Sequence, residues 1–196
     1  MNPRMLEATA LILAGGRSSR MGRDKVLLPL GDGRTMLERA ADFWGALCPQ
    51  VLIAAGTEAH LPQTLPGQPV YDRFPGCGPM AGLQAGLLAA GNELLFAFAV
   101  DQPYPTREAA LALWTAMGEA DAAVYRLDGR RAPLFGLYRR TCLPVAQTLL
   151  EAGTYKMGLL LDRVRTVYVD TTDERLLLNM NTPTEYQQVL NDYGQG

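Results

Sequence analysis

A chain of 196 residues, 48% of them apolar and 19% charged, has the length for one domain with a sizeable core and is too apolar for a disordered chain. Its net charge of −2 supplies no general basic field, which argues against a nucleic-acid surface and turns local basic clusters toward a small phosphorylated ligand. No apolar run approaches the roughly 18–20 residues of a membrane span. Three widely spaced cysteines with no C-x-x-C pair exclude a cysteine metal cage and suit reduced thiols, so the expected location is cytoplasmic.

Short apolar runs alternate with helical patterns, which predicts an α/β fold: βα units around a mostly parallel sheet covered on both faces. The first strand is expected over 8–13 and halts at Gly15-Gly16; the apolar run leading into it reads as a buried strand and not as a signal peptide. A helix follows over 36–47, opened by the capping box Thr35/Glu38 and faced by Leu37, Ala40, Ala41, Trp44 and Leu47. Strands over 50–55 and 68–71 come next, the second ending in Asp72. His60, the sole histidine, lies in the Pro-rich connection between them, with nothing around it to suggest nucleophilic catalysis. The glycine-rich stretch 76–86 runs into a helix from about Ala81 to Ala90 that stops at Gly91, with Cys77 read as a small residue in a tight loop.

The strand over 94–100 ends in Asp101-Gln102-Pro103, and a helix follows Pro105-Thr106 to about Met117. Strands over 121–127 and 132–138, helices over 141–152 and 157–163, and a strand over 166–170 complete the alternation. A last helix is capped by Thr182, with Pro183 in its first turn and Glu185 closing the box, and the tail from Tyr193 to Gly196 is expected to fray. Nothing splits the chain, so residues 1–196 form a single domain, a nucleotide half over about 8–103 and an acceptor half over about 104–190.

Chemistry concentrates at Leu13–Lys25. Glycines at 15 and 16 leave backbone N–H groups for anionic oxygens, and Arg20, Arg23 and Lys25 add charge where phosphates would sit. The spacing is neither a P-loop nor a dinucleotide fingerprint; it reads L-x-G-G-x-S-x-R-M-G-x-D-K. In an open α/β sheet ligands bind beyond the carboxyl ends of the strands, and Asp72 and Asp101 both stand at such ends. Asp101 suits a hard cation such as Mg²⁺, which binds through one or two carboxylates plus substrate phosphates, against the alternative of a turn cap before Pro103. Asn179 and Asn181 flank Met180, so in an extended segment they point to one side, toward metal, phosphate or the helix cap. Gly82 either lets backbone approach a base or pyrophosphate, or opens a closely packed helix. Arg130, Arg131, Arg139, Arg140 and Lys156 read as a solvated basic face, or as contacts to the acceptor's phosphate or to an acidic partner.

The Leu13–Lys25 pattern resembles the signature of nucleotidyltransferases related to the molybdenum cofactor guanylyltransferases. Asp72, G-P-M-A-G at 78–82, D-Q-P at 101–103 and N-M-N-T-P at 179–183 fall in that family's order, so the resemblance runs from Leu11 to about Tyr186. It implies a single Rossmann-like three-layer domain that joins GTP to molybdopterin, or to the molybdenum cofactor, and releases pyrophosphate. It implies that Leu13, Ala14, Gly15, Gly16 and Gly82 contact the nucleotide, that Lys25 binds phosphate and Asp72 the nucleoside, and that Asp101 holds Mg²⁺. Arg20, Lys25 and Asp101 become the catalytic set, and Asn179, Asn181 and Lys156 the acceptor contacts. Other cofactor-synthesis proteins or target molybdoenzymes are the implied protein partners. The chain departs from the family at Ile53-Ala54-Ala55-Gly56, which supplies no side-chain amide where relatives often carry asparagine. It departs again at Ala132, where many have histidine, and at Thr154-Tyr155-Lys156, where arginines are common. The competing expectations are a cytidylyltransferase on the same pterin, a guanylyltransferase for another phosphorylated acceptor such as a cobinamide or a lactate phosphate, and an idle cofactor carrier. Asp24-Lys25 and Gly78–Gly82 favour the guanine donor.

Overall fold

A computed structural model describes residues 5–15, 28–55 and 67–194. Along the chain run β1 (Ala8–Leu13), α1 (Met36–Gly45), β2 (Gln50–Ala54), β3 (Gln68–Val70), α2 (Pro79–Ala89), β4 (Leu94–Ala99) and α3 (Arg107–Met117). Then come β5 (Ala122–Leu127), β6 (Arg130–Arg139), α4 (Cys142–Glu151), α5 (Met157–Leu161), β7 (Thr166–Asp170), a 3₁₀ turn (Arg175–Leu177) and α6 (Pro183–Gly194). The seven strands form one sheet in the order β3-β2-β1-β4-β6-β5-β7. β6 runs antiparallel to both of its neighbours, while the other pairings are parallel. The reason is local: Asp128 and Gly129, at φ 47° and 77°, join β5 to β6. Two residues with positive φ make the turn of a hairpin and leave no length for a parallel crossover.

The strands are buried on both faces, and their alternation sorts the core into two halves. Ala10 and Ile12 of β1 and Phe96 and Phe98 of β4 face one layer, made by α1, α3 and α6. Leu11, Leu13, Leu95 and Ala97 face the other, made by α2, α4 and α5. The result is the expected three-layer sandwich. Trp44 of α1 centres the first half, its ring 4.8 Å from Phe96 and 5.6 Å from Phe98. The second half is tighter because α2 lies almost flat on the sheet, with every residue from Met80 to Leu87 buried. Gly86 permits this approach: a Cβ there would stand 2.5 Å from a δ-methyl of Leu11.

Both capping boxes form. Thr35 and Glu38 exchange hydrogen bonds at the start of α1, and Thr182 and Glu185 do so at α6. The expected fraying of the tail is corrected for Tyr193 and Gly194, which belong to α6; the Tyr193 hydroxyl donates to the Pro103 carbonyl at 2.5 Å. Among the described residues no helix is long and apolar enough to cross a membrane.

Candidate functional site

Past its last ladder pair, β1 continues to be gripped by its neighbours. The Ala14 amide donates to the Ala54 carbonyl at 2.8 Å, and the Val100 amide donates to the Leu13 carbonyl at 3.1 Å. Leu13, Ala14 and Gly15 are thereby fixed at the centre of the sheet's carboxyl edge, between the ends of β2 and β4. Gly16, Arg20 and Lys25 lie outside the described residues.

Gly82, in the first turns of α2, meets this edge from one side. A Cβ at that position would stand 2.7 Å from Leu13 Cδ2, 3.3 Å from the Ala54 Cβ and 3.8 Å from Asp72 Oδ1. Of the two readings of Gly82, close packing is therefore realised, and it presses the start of α2 against Leu13 and Asp72 together. That start is preceded by Gly78 at φ 71°, with Pro79 next and no side-chain cap, so the positive end of the helix dipole is left to other partners.

Asp72 follows β3 and is half-buried in this corner. Its Oδ1 is sealed from solvent and accepts no hydrogen bond among the described residues. Burial without a compensating donor disfavours the charged form and pushes the carboxyl up to about 6 from an ordinary 3.8. A buried, unpaired carboxylate oxygen is costly, and a ligand hydroxyl or N–H placed there would remove the cost.

Asp101 stands at the end of β4, two strands from β2. Its carbonyl accepts from the Met180 amide at 2.9 Å, which draws the segment 179–181 alongside it. Met180 is fully buried while Asn179 and Asn181 are exposed, so the two amides share the outward side as their spacing predicts. Among the described residues no group of three or more His, Cys, Asp or Glu side chains gathers. A dedicated protein cage for a metal is thus not what these residues build. A single carboxylate at a strand end, such as Asp101, is the kind of group that could hold Mg²⁺ carried in with phosphates.

Lys156 is exposed, just before α5, and reaches the same end of the molecule through its neighbour. The Tyr155 phenol lies near the Cys77 thiol, which raises the phenol above its ordinary value, and this brings the loop after α4 beside the loop before α2. Nothing in the residue spacing signals that contact. Cys48 and Cys142 are buried free thiols, each pushed up to about 12 by burial.

Three of the other basic residues have structural work. Arg139 donates to the carbonyls of Gly118 and Ala120, and Arg140 to those of Ala90 and Asn92. Arg131 is engaged by Asp162 and the Gly158 carbonyl. These three arginines thus tie helix ends to the sheet.

Comparison with known proteins gives the family and the fold. The model of a family described as the MobA-like NTP transferase domain matches residues 10–167. A protein of Carboxydothermus hydrogenoformans named as a probable molybdenum cofactor guanylyltransferase is 34% identical over 194 residues, 95% of this chain and 96% of its own. A Mycobacterium tuberculosis protein of the same name is 38% identical over 185 residues, 92% of each. Among solved structures, molybdopterin-guanine dinucleotide biosynthesis protein A of Archaeoglobus fulgidus superposes with a TM-score of 0.83. That match covers 96% of this chain and 100% of the other at 21% identity, a likeness of fold. A putative protein of Aquifex aeolicus, 28% identical, superposes with a TM-score of 0.74 over 89% of this chain and 93% of its own.

Proposed function

The chain belongs to the family of MobA-like NTP transferases, and on that premise we propose that it transfers GMP from GTP to the terminal phosphate of molybdopterin or the molybdenum cofactor, releasing pyrophosphate. The observation that supports this most is the corner at the carboxyl edge of the sheet. Asp72 Oδ1 is buried and unpaired there, Gly82 closes one wall, and the backbone of Leu13 to Gly15 lies across the middle. The corner calls for a donor such as a nucleoside hydroxyl or ring N–H.

In this reading the backbone of Leu13–Gly15 orients the nucleotide and Asp72 accepts a hydrogen bond from the nucleoside. Arg20 and Lys25, on the loop outside the described residues, neutralise charge on the leaving pyrophosphate. Asn179, Asn181 and Lys156 hold the acceptor's phosphate in line with the α-phosphorus. That phosphate is already anionic at neutral pH, so no general base is needed: one P–O bond forms at the α-phosphorus as the bond to the bridging oxygen breaks. Asp101 would hold Mg²⁺, which supplies charge neutralisation to the phosphates when bound. The finished dinucleotide would pass to cofactor-synthesis proteins or target molybdoenzymes.

Calorimetric titration with GTP, CTP and ATP, with and without Mg²⁺, tests the reading. GTP should bind in preference to the others, and Mg²⁺ should tighten it. Preference for CTP would reassign the donor despite Asp24-Lys25, and metal-independent binding would mark a carrier. Failure of every triphosphate to bind would overturn the nucleotide site.

A further inference from the structure

Beside the turn that carries Asp101 lies a partly open pocket of about 210 Å³, lined by Gln102, Pro103, Arg39, Phe43, Phe98 and Tyr193 among others. Gln102 is 4% exposed, yet its Oε1 has no hydrogen-bond partner among the described residues. Close packing normally fixes a buried turn by contact, and beside the pocket that contact is incomplete. Within the turn the Gln102 amide donates to the Ala99 carbonyl at 3.1 Å, while Pro103 and Pro105 contribute no N–H.

Further hold comes from residues beyond the segment 10–167 that the family model covers. The Met180 amide donates to the Asp101 carbonyl at 2.9 Å. The Tyr193 hydroxyl donates to the Pro103 carbonyl at 2.5 Å, and the Tyr104 hydroxyl donates to Asp192 at 2.6 Å. Arg175 completes the set, 2.9 Å from Asp192 and with its guanidinium 4.5 Å from the Tyr104 ring centre. Tyr104 and Tyr193 stack with centroids 6.1 Å apart, and the Arg39 guanidinium covers Tyr193 at 4.2 Å.

We propose that the C-terminal strap from Arg175 to Tyr193 is a positioning element for Asp101, with Tyr193 as its principal positioning residue. The proposal rests on the reading of Asp101 as the residue that holds Mg²⁺. The strap grips the turn on both sides of Gln102, so it sets where the Asp101 carboxylate stands at the sheet edge. The pocket between the turn and Tyr193 leaves room for the turn to move once the strap lets go. Tyr193 touches neither substrate nor metal in this scheme; it acts through the Pro103 carbonyl alone.

The test uses the full chain with Tyr193→Phe and, separately, Tyr104→Phe; both keep the stacked rings and remove one hydroxyl each. Calorimetry gives GTP affinity across a Mg²⁺ series, hydrogen exchange gives the protection of the Met180 amide, and thermal melting confirms folding. The Mg²⁺ concentration for half-maximal tightening should rise about fivefold in Tyr193→Phe, the worth of one net hydrogen bond. Metal-free GTP affinity should hold at the wild-type value and Met180 should exchange faster. Asp192→Asn, which keeps an acceptor for Tyr104, should stay nearer to wild type than Asp192→Ala. An unchanged Mg²⁺ dependence in both tyrosine variants, with both folded, would overturn the proposal, as would an equal loss of affinity with and without metal. Asp101→Ala with wild-type Mg²⁺ dependence would instead overturn the metal reading beneath it, and faster Met180 exchange in Tyr193→Phe would tell that failure from failure of the strap.

Discussion

Replacing Asp72 with asparagine should stabilise the fold while damaging the site. The folded carboxyl titrates at about 6 against an ordinary 3.8, because burial disfavours its charge and no donor reaches Oδ1. The folded protein therefore holds this proton more tightly than the unfolded chain does. Stability falls as pH rises from about 4 to about 6 and is level above that, since the cost of the buried charge is then fully present. A shift of this size is worth about 3 kcal/mol at most, and solvent reaching the exposed half of the group reduces it to about 1 kcal/mol. Asparagine is neutral at every pH and escapes the loss. Urea unfolding of wild type and Asp72→Asn at pH 4, 5, 6 and 7 should show a gap near zero at pH 4 that opens to about 1 kcal/mol in favour of the variant by pH 7. GTP bound through a donor to Oδ1 favours the carboxylate, so wild-type affinity should rise from pH 5 to pH 7 and the variant's should be weak and flat. A stability gap that is constant across this range would mean the carboxylate is not desolvated, and the account of the corner would fall with it.

Lys25→Ala and Asp101→Ala should each lower turnover by roughly 10²–10³ with the thermal midpoint unchanged, as loss of one contact to developing charge does; near-wild-type rates would remove that residue from the mechanism. Gly86→Ala should lose about 0–2 kcal/mol of stability, because overpacking costs about 1–3 and the helix regains about 1. The added methyl would meet both δ-methyls and the branch carbon of Leu11 at 2.5, 2.9 and 3.1 Å, and Leu11 is fully buried. Gly82→Ala should act more on the site than on the fold: it presses on one methyl of Leu13, which is 8% exposed at the rim and can turn aside, and only lightly on the Ala54 Cβ at 3.3 Å. Denaturation should find it nearly as stable as wild type, while calorimetry finds GTP bound about tenfold more weakly, about 1.4 kcal/mol. Equal effects of the two alanines on binding would separate Gly82 from the nucleotide.

What was legible in the residues alone follows the range of the interaction concerned. Capping boxes at Thr35 and Thr182 are made by residues three apart, and both form as read. A sheet covered on both faces follows from the alternation of strands and helices along the chain, and it too stands. The direction of β6 depends on Asp128-Gly129, a local signal that a reading tuned to βα alternation passes over. The site divides in the same way. Asp72, Asp101, Asn179 and Asn181 are visible as residues at strand and helix ends, and the fold gathers Asp101 with the two asparagines through the Met180 amide. The burial of Asp72 is invisible in its own neighbourhood, because the wall that seals it is Gly82, placed there by the packing of α2 on the sheet. Tyr193 shows the limit most clearly. Local signals end beside it, so it reads as a fraying tail, yet its hydroxyl reaches Pro103, two residues from Asp101. A phosphate-loop pattern such as Leu13–Lys25 is written in a dozen consecutive letters and can be read as one. A carboxylate held in place by a helix from the far end of the chain cannot, because its position is a property of the fold.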